Sequence, residues 1–279
     1  MIKTPPGWSL DVLGRTFQAR TADTAWTEAA PPAVRRISLH DIGDSLRLGW
    51  QDFQAARSDV VLLCLIYPIA GLLMARAALG HDMLPLVFPL ASGFALLGPL
   101  FGVGLNEMSR RRERGLPTGW GNAFDVLQSP SFGAILLLGL VLAGMFVFWL
   151  VLSQLVYMET LGPKPPVSIG AFGHDILLTS AGWAMAAIGI GVGFLIALVA
   201  FCISVVSFPL LLDQPVTLET AIRTSVRAVR RNPVVMMAWG AILAGGLALA
   251  SLPLLLGLIV VLPVFGHATW HLYRRTVGR

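Results

Sequence analysis

The chain has 279 residues, of which 56% are hydrophobic and only 13% charged, with a net charge of +5. In soluble domains about a quarter of all residues are charged, so this composition excludes an ordinary water-soluble protein. Five apolar runs are each long enough to cross a hydrocarbon core about 30 Å thick, which needs about 20 helical residues. They are Val60–Leu79, Leu84–Leu105, Phe132–Val156, Trp183–Leu212 and Val234–Phe265.

Lipid offers no hydrogen-bond partners to a backbone, and helices satisfy their own groups, so the fold class predicted is an all-α polytopic membrane protein. The last run, of 32 residues, would be about 48 Å long as one helix, too long for a single crossing. Ser251 and Pro253 lie in its middle and indicate a tight hairpin between two helices. The sequence therefore predicts six transmembrane helices, with both termini on one side.

The distribution of positive charge tests this count. All but two of the twenty basic residues precede the first span, lie in the second or fourth loop, or close the chain; Arg76 and Lys164 fall on the other side. The positive-inside rule makes the basic side the cytoplasm, so both termini are predicted to be cytoplasmic. A five-span topology would put Arg274 and Arg275 outside.

The same basic residues indicate the partners. Arginines that flank helices on the cytoplasmic face attract anionic lipid headgroups by about 1 kcal/mol each. Membrane lipids are therefore the predicted partners, and no nucleic acid is needed to explain the net charge. The sequence names no protein partner.

The chain divides into a flexible cytoplasmic tail, residues 1–34, and a six-helix transmembrane domain, residues 35–279. Ser38 and Asp41 have the spacing of a capping box at the start of an amphipathic helix. Similar stretches precede the later apolar pairs, before Pro130 and before Pro233. We expect three repeats of an interfacial amphipathic helix and a helical hairpin. The apolar positions are Leu39, Ile42, Leu46, Trp50 and Phe53; Trp120, Phe124 and Leu127; and Leu218, Ile222, Val226 and Val229.

Residues that carry chemistry are scarce. The spans hold essentially no ionisable side chain at mid-depth, which disfavours a proton-coupled or ion-coupled transporter. Neither a nucleophile elbow, nor a Walker loop, nor a zinc-protease motif is recognisable, so no enzyme activity and no cofactor is predicted. The weak candidates for metal ligands are His267 and His271, four apart on one helix face, but a third ligand is not evident. Packing and hydrogen bonding explain the pair more simply.

Glu107 and Asp213 lie where spans end on the cytoplasmic side, and a helix dipole disfavours negative charge there. We expect each to pair with an arginine of the second or fourth loop, with Arg223 the suggested partner of Asp213. Such pairs either lock the ends of the bundle or shape a binding site. The predicted cytoplasmic-face site comprises Glu107, Arg110, Arg111, Arg112, Asp213, Arg223, His267 and His271.

Four stretches resemble the bacterial integral membrane family known as domain of unknown function 2189: Gly98–Gly115 (GPLFGVGLNEMSRRRERG), Ser207–Asp213 (SFPLLLD), Ala221–Pro233 (AIRTSVRAVRRNP) and Leu262–Tyr273 (LPVFGHATWHLY). The resemblance extends over residues 35–279 and implies a bacterial inner-membrane location, but no activity. The label of cytochrome oxidase subunit one, which some members carry, does not transfer, because that oxidase needs more spans and several buried histidines.

The predicted role is non-catalytic: assembly, regulation or lipid organisation. The alternative is a transporter or channel for an uncharged or lipidic solute. A central cavity lined by Ser92, Asn106, Ser153, Gln154 and Ser204 would favour the alternative, whereas a closed, glycine-packed bundle would favour the first.

Overall fold

The computed structural model describes residues 32–55 and 83–278, with positions 65, 69, 71–73 and 76 between them. Residues 32–279 form one compact unit. This part of the chain is helical, with one isolated antiparallel bridge between Val34 and Val277. The predicted all-α class is confirmed. The predicted flexible tail falls almost wholly outside the described residues.

The described helices follow one another with short connections. In chain order they are α1 (Leu39–Ala55), a 3₁₀ helix (Leu84–Leu86), α2 (Val87–Leu96), α3 (Gly98–Phe101), α4 (Val103–Glu113), a second 3₁₀ helix (Trp120–Gln128), α5 (Phe132–Thr160), α6 (Ile169–Leu178), α7 (Ser180–Ser204), α8 (Ser207–Asp213), α9 (Leu218–Arg231), α10 (Pro233–Ser251) and α11 (Leu258–Thr276).

Three described segments are long and apolar enough to cross a bilayer: α5, the pair α7 and α8, and α10. A fourth crossing results if Leu84–Gly93 and Gly98–Glu113, bent by 46° at their break, count as one span. The predicted first span, Val60–Leu79, lies largely outside the described residues. In α11, the apolar run ends at Phe265 and polar residues follow, so it fails the same test of length and composition. A polytopic protein is thus confirmed, but six spans are not.

The three predicted amphipathic helices differ from one another. The first is α1, where one half of the predicted capping box forms: the Asp41 carboxylate accepts from the Ser38 amide at 2.7 Å. The Ser38 hydroxyl donates to the same carboxylate at 2.9 Å. The buried face of α1 is more polar than the predicted stripe. Leu39 and Trp50 are exposed, whereas the buried residues are Ile42, Ser45, Gly49, Asp52 and Phe53.

The second stretch, Trp120–Gln128, is a 3₁₀ helix and not an α-helix. With three residues per turn, the inward positions are Ala123 and Val126, while Phe124 and Leu127 are exposed. The predicted α-helical spacing of these apolar residues is therefore wrong. The third stretch is α9, whose arginines Arg223, Arg227 and Arg230 are exposed as predicted. Its buried face is made chiefly of small residues: Ala221, Thr224, Ser225 and Ala228.

The most extensive packing joins α1 to α11, which run antiparallel. At one end Arg275 pairs with Asp41 at 2.6 Å, and at the other His271 contacts Asp52 at 2.8 Å. The two backbones meet at Gly49, beside Val264 and Ala268. A Cβ there would lie 2.7 Å from both Ala268 N and Val264 O, closer than van der Waals contact allows.

The segment before α1 is held against the end of α11. Arg35 N donates to Thr276 O at 2.8 Å, and Gly278 N donates to Ala33 O at 3.0 Å. Asn232, which precedes α10, accepts from Ile37 N at 2.9 Å and donates to Arg35 O at 3.0 Å. Residues 33–37, residue 232 and residues 276–278 therefore lie together at one end of the structure.

The close approach at Gly49 predicts a selective loss of stability. Gly49→Ala forces α1 and α11 apart and should lower the free energy of unfolding by about 1–3 kcal/mol, as overpacking does. Gly43→Ala is the control, because nothing lies within 4 Å of its added methyl group and alanine favours a helix over glycine by about 1 kcal/mol. Thermal unfolding of both variants in detergent tests this. Equal stability of the two would contradict the observed packing.

Candidate functional site

Polar side chains from α4 and α11 converge on Asp52 of α1, a residue that is 8% exposed. Its Oδ2 accepts a hydrogen bond from Ser109 Oγ at 2.6 Å and lies 2.8 Å from His271 Nε2. Its Oδ1 is 3.4 Å from Arg112 Nη1, which also donates to the Gln51 carbonyl at 2.9 Å. We call Asp52, Ser109, Arg112, His267 and His271 the Asp52 cluster.

Burial alone would raise the pKa of the Asp52 carboxyl. The hydrogen bonds from His271 and Ser109, with the charges of His271 and His267 when protonated, outweigh burial and hold the pKa below its ordinary value. Asp52 is therefore a carboxylate and accepts only. Ser109 has a single hydroxyl hydrogen and donates it to Asp52. Its oxygen therefore accepts from its other neighbour, His267 Nδ1, at 2.8 Å.

This chain of hydrogen bonds fixes the tautomer of His267. Burial lowers the pKa of His267 to about 4, although the Asp52 carboxylate opposes this shift. The ring is thus neutral, with its hydrogen on Nδ1 and a bare lone pair on Nε2. That Nε2 atom is buried and has no hydrogen-bond partner within the described part of the chain.

A small cleft, open to solvent, lies beside His267. Its volume is about 10 Å³, room for about one water molecule, and its lining is Asp52, Ala55, Met108, Arg112, Thr118 and His267. It therefore combines a buried acceptor, a guanidinium and a hydroxyl with apolar walls.

A second group, the Asp213 cluster, comprises Glu113, Arg114, Asp213, Tyr273 and Arg274. The Asp213 side chain is 2% exposed and lies 3.4 Å from both Arg114 Nη2 and Arg274 Nη1. Tyr273 donates its hydroxyl to Asp213 at 3.0 Å, and Arg274 binds Glu113 at 2.9 Å. Burial and the Asp213 carboxylate raise the pKa of Tyr273, so it stays a neutral donor.

Two further ion pairs hold the arginine run of α4. Arg110 binds the buried Glu107 through two nitrogens, at 2.7 and 3.0 Å. Arg111 Nη1 lies 2.9 Å from Asp125 in the second 3₁₀ helix. Because α4 continues to Glu113, Glu107 lies inside the helix and not at its end as predicted.

The predicted site residues therefore separate into several groups. Glu107 and Asp213 each pair with an arginine of the second loop, as predicted. The suggested partner of Asp213 is wrong: Arg223 is exposed and binds Glu219, one helical turn away, at 2.6 Å. His267 and His271 join the hydrogen bonds around Asp52, and no group of three His, Cys, Asp or Glu side chains in the described residues could hold a metal ion.

Sequence reasoning missed Asp52 and Ser109. Asp52 was missed because the buried face of α1 was predicted from its large apolar residues. A stripe of small and polar residues on the same helix, Ser45, Gly49 and Asp52, marks the face that is buried. Such a stripe signals close contact with another helix.

Comparison with known protein families gives one match within these elements. Residues 87–213 match the family DUF2189. The family is described as a predicted integral membrane protein, and the match runs from the first residue of α2 to the last residue of α8. It confirms the resemblance but covers less than the predicted range of 35–279, since the motifs at Ala221–Pro233 and Leu262–Tyr273 lie beyond it. Comparisons with curated proteins and with solved structures found no match.

The buried pair of Glu107 and Arg110 should be worth far more than an exposed pair. Glu107→Gln leaves the Arg110 guanidinium without its carboxylate and should destabilise the protein by about 2 kcal/mol or more. Glu219→Gln removes the exposed partner of Arg223 and should change stability by less than about 0.5 kcal/mol. Unfolding of both variants in the same detergent checks this. A Glu107 variant as stable as the Glu219 variant would contradict the argument.

Proposed function

We propose that the protein is a non-catalytic inner-membrane protein that acts in assembly, regulation or lipid organisation. We call the end of the structure that carries the Asp52 and Asp213 clusters the charged end, and we place it at the cytoplasmic membrane surface. The observation that carries this proposal is how the ionisable groups are used. Carboxylates of α1, α4 and α8 are each engaged by arginines or histidines of α4 and α11. Groups held in this way join helix ends together and are poorly placed to turn over a substrate.

We further propose six spans. Because residues 33–37 bond directly to residues 276–278, the chain between them must cross the membrane an even number of times. If the bent pair counts as one span, the four candidate spans and the predicted span Val60–Leu79 make five, which leaves one return crossing to be made by α11. The contact of Gly71 with Leu255 supports this, since it brings residue 71 to the turn before α11.

The distribution of charge supports a cytoplasmic location for this end. The charged end holds arginines of the second loop and also Arg274 and Arg275. Their contacts with Asp52, Asp213 and Asp41 place them there. Lys164 lies beyond the far end of α5, where its carbonyl accepts from Tyr157 at 2.6 Å. The positive-inside rule then assigns the arginine-rich end to the cytoplasm.

The proposed repeat has partial support in the sequence. Gly98–Gly102 reads GPLFG and Leu262–Gly266 reads LPVFG, and an arginine pair follows each glycine at the same distance, Arg110 with Arg111 and Arg274 with Arg275. Each motif leads into a helix that ends in the charged end. We infer that these are equivalent second helices of two hairpins.

The rival function is a channel or transporter for an uncharged solute. The polar residues that would have to line its path give it little support. The hydroxyls of Ser92 and Ser153 donate to carbonyls one turn back in their own helices, Phe88 at 2.8 Å and Trp149 at 2.7 Å. Ser204 and Asn106 are buried. These contacts favour a packed bundle over a common polar cavity.

The topology is tested with reporter fusions. Reporters placed after residues 115, 165, 232 and 279 should read inside, outside, inside and inside. Residues 115 and 232 lie at the charged end, and residue 165 lies in the loop that contains Lys164. An outside reading after residue 279 would overturn the six-span proposal.

The role is tested by flux. Vesicles that contain the purified protein should pass glycerol, and move a labelled phospholipid between leaflets, no faster than vesicles with the heat-unfolded chain. Stoichiometric co-purification of a lipid or a protein from native membranes should accompany this result. Flux that depends on the folded protein would overturn the non-catalytic proposal in favour of the rival.

A further inference from the structure

The described arginines of the basic side fall into two groups. Eight of them lie 2.6–3.4 Å from a carboxylate oxygen, so their charge is used inside the protein. The other group is exposed and pairs with no carboxylate in the part of the chain that the structure describes. It consists of Arg35, Arg36, Arg227, Arg230 and Arg231.

Four arginines of this second group are brought together by Asn232, a residue that is 5% exposed. Its side chain donates to the Arg35 carbonyl at 3.0 Å and so holds the segment with Arg35 and Arg36 against the end of α9. Arg230 and Arg231 form the last turn of that helix, directly before Asn232. We call Arg35, Arg36, Arg230 and Arg231 the Asn232 patch.

The end of the chain fixes Arg35 further. Its amide donates to the Thr276 carbonyl at 2.8 Å. Its guanidinium lies against Gly278, where an added Cβ would be 2.8 Å from Nε. A side chain at residue 278 would therefore displace the guanidinium. Three separate parts of the chain build the patch, so it exists only in the folded protein.

Local contacts do not account for this gathering of charge. The helix dipole favours Arg230 and Arg231, because they lie in the last turn of α9. It disfavours Arg35 and Arg36, because they lie just before the first turn of α1. Like charges held close together also repel one another. A bound anion would remove both costs.

The patch borders a surface that faces lipid. Pro233 begins α10 directly after Asn232, and α10 is one of the candidate spans. Val234 in its first turn is 71% exposed, and Met237 in the next turn is 40% exposed. Exposed apolar side chains on a span contact acyl chains, so the arginines that directly precede them lie at the depth of lipid headgroups.

We propose that the Asn232 patch binds anionic phospholipids of the cytoplasmic leaflet and gathers them around the start of α10. A guanidinium can donate two hydrogen bonds to phosphate oxygens, and a group of arginines beside a span attracts such headgroups. An acidic polypeptide fits less well, because the surface beside the patch lies in lipid.

This inference names lipid organisation among the proposed roles, and it rests on the placement of the charged end at the membrane surface. The reporter fusions test that placement in cells, whereas lipid binding is measured in detergent. The two can therefore fail separately.

Lipid selectivity is measured by native mass spectrometry of the full-length protein in a neutral detergent, with equal amounts of phosphatidylglycerol and phosphatidylcholine. The protein should retain the anionic lipid in preference. Arg230→Gln combined with Arg231→Gln should lower the ratio of retained lipids about fivefold for each charge removed. Arg35→Gln combined with Arg36→Gln should do the same. A loss from only one of the two pairs would overturn the single patch.

The matched control is Arg47→Gln combined with Arg223→Gln. It removes two charges from exposed arginines that already pair with Asp44 and Glu219. Both lie about 10 Å or more along their helices from the patch, beyond the screening length of about 8 Å at physiological salt. The ratio should therefore change little, and because it is taken within one sample, a less stable variant still reports it. Equal losses in control and patch variants would show only a general effect of charge and would overturn the proposal.

Two soluble anions test the assignment to lipid. Glycerol phosphate, which lacks acyl chains, and a short oligoglutamate should displace phosphatidylglycerol only at concentrations far above that of added lipid. Displacement by glycerol phosphate as effective as that by lipid would show a soluble phosphate ligand. The same result with oligoglutamate would show an acidic polypeptide partner. Either outcome would overturn the lipid assignment.

Discussion

The charged end is organised around the burial of one carboxylate, Asp52, in the contact between α1 and α11. Removing a carboxylate from water costs several kcal/mol unless partners replace its hydration. Here the partners come from two helices: Ser109 and Arg112 from α4, and His271 from α11. They reach Asp52 only because Gly49 lets the backbones of α1 and α11 touch. Helix spacing and electrostatics therefore depend on each other.

Arginines complete this arrangement at the helix ends. Arg274 contacts both Glu113 and Asp213, so it connects the last turns of α4, α8 and α11. Each of these acidic residues ends its helix, where the dipole alone would disfavour it. A cation from the neighbouring helix reverses that balance. Protein contacts thus account for much of the arginine at this end.

The sequence was sufficient to predict the helical membrane class, because long apolar runs permit little else, and to predict that acidic residues at helix ends meet arginines. It could not predict which arginine. The sequence was compatible with Arg223 as the partner of Asp213. In the structure the orientation of α9 leaves Arg223 bound to Glu219 instead. The 3₁₀ geometry of Trp120–Gln128 was also hidden, since the apolar residues fit an α-helical period. Asp52 and Ser109 became visible only once α1 was packed, because their roles depend on residues more than 50 positions away.

The bridge between Val34 and Val277 bears on the order in which the protein is made. Residues 33–37 and α1 leave the ribosome long before α11, yet their hydrogen bonds and the neighbours of Gly49 belong to the last fifty residues or so. Until then Asp52 has no His271 beside it, and the polar face of α1 stays hydrated. Completion of the fold is therefore a late event, set by contacts of very high sequence separation, which are slow to form. A chain stalled before α11 would display an unmatched acidic helix, a difference that a quality-control protease could recognise.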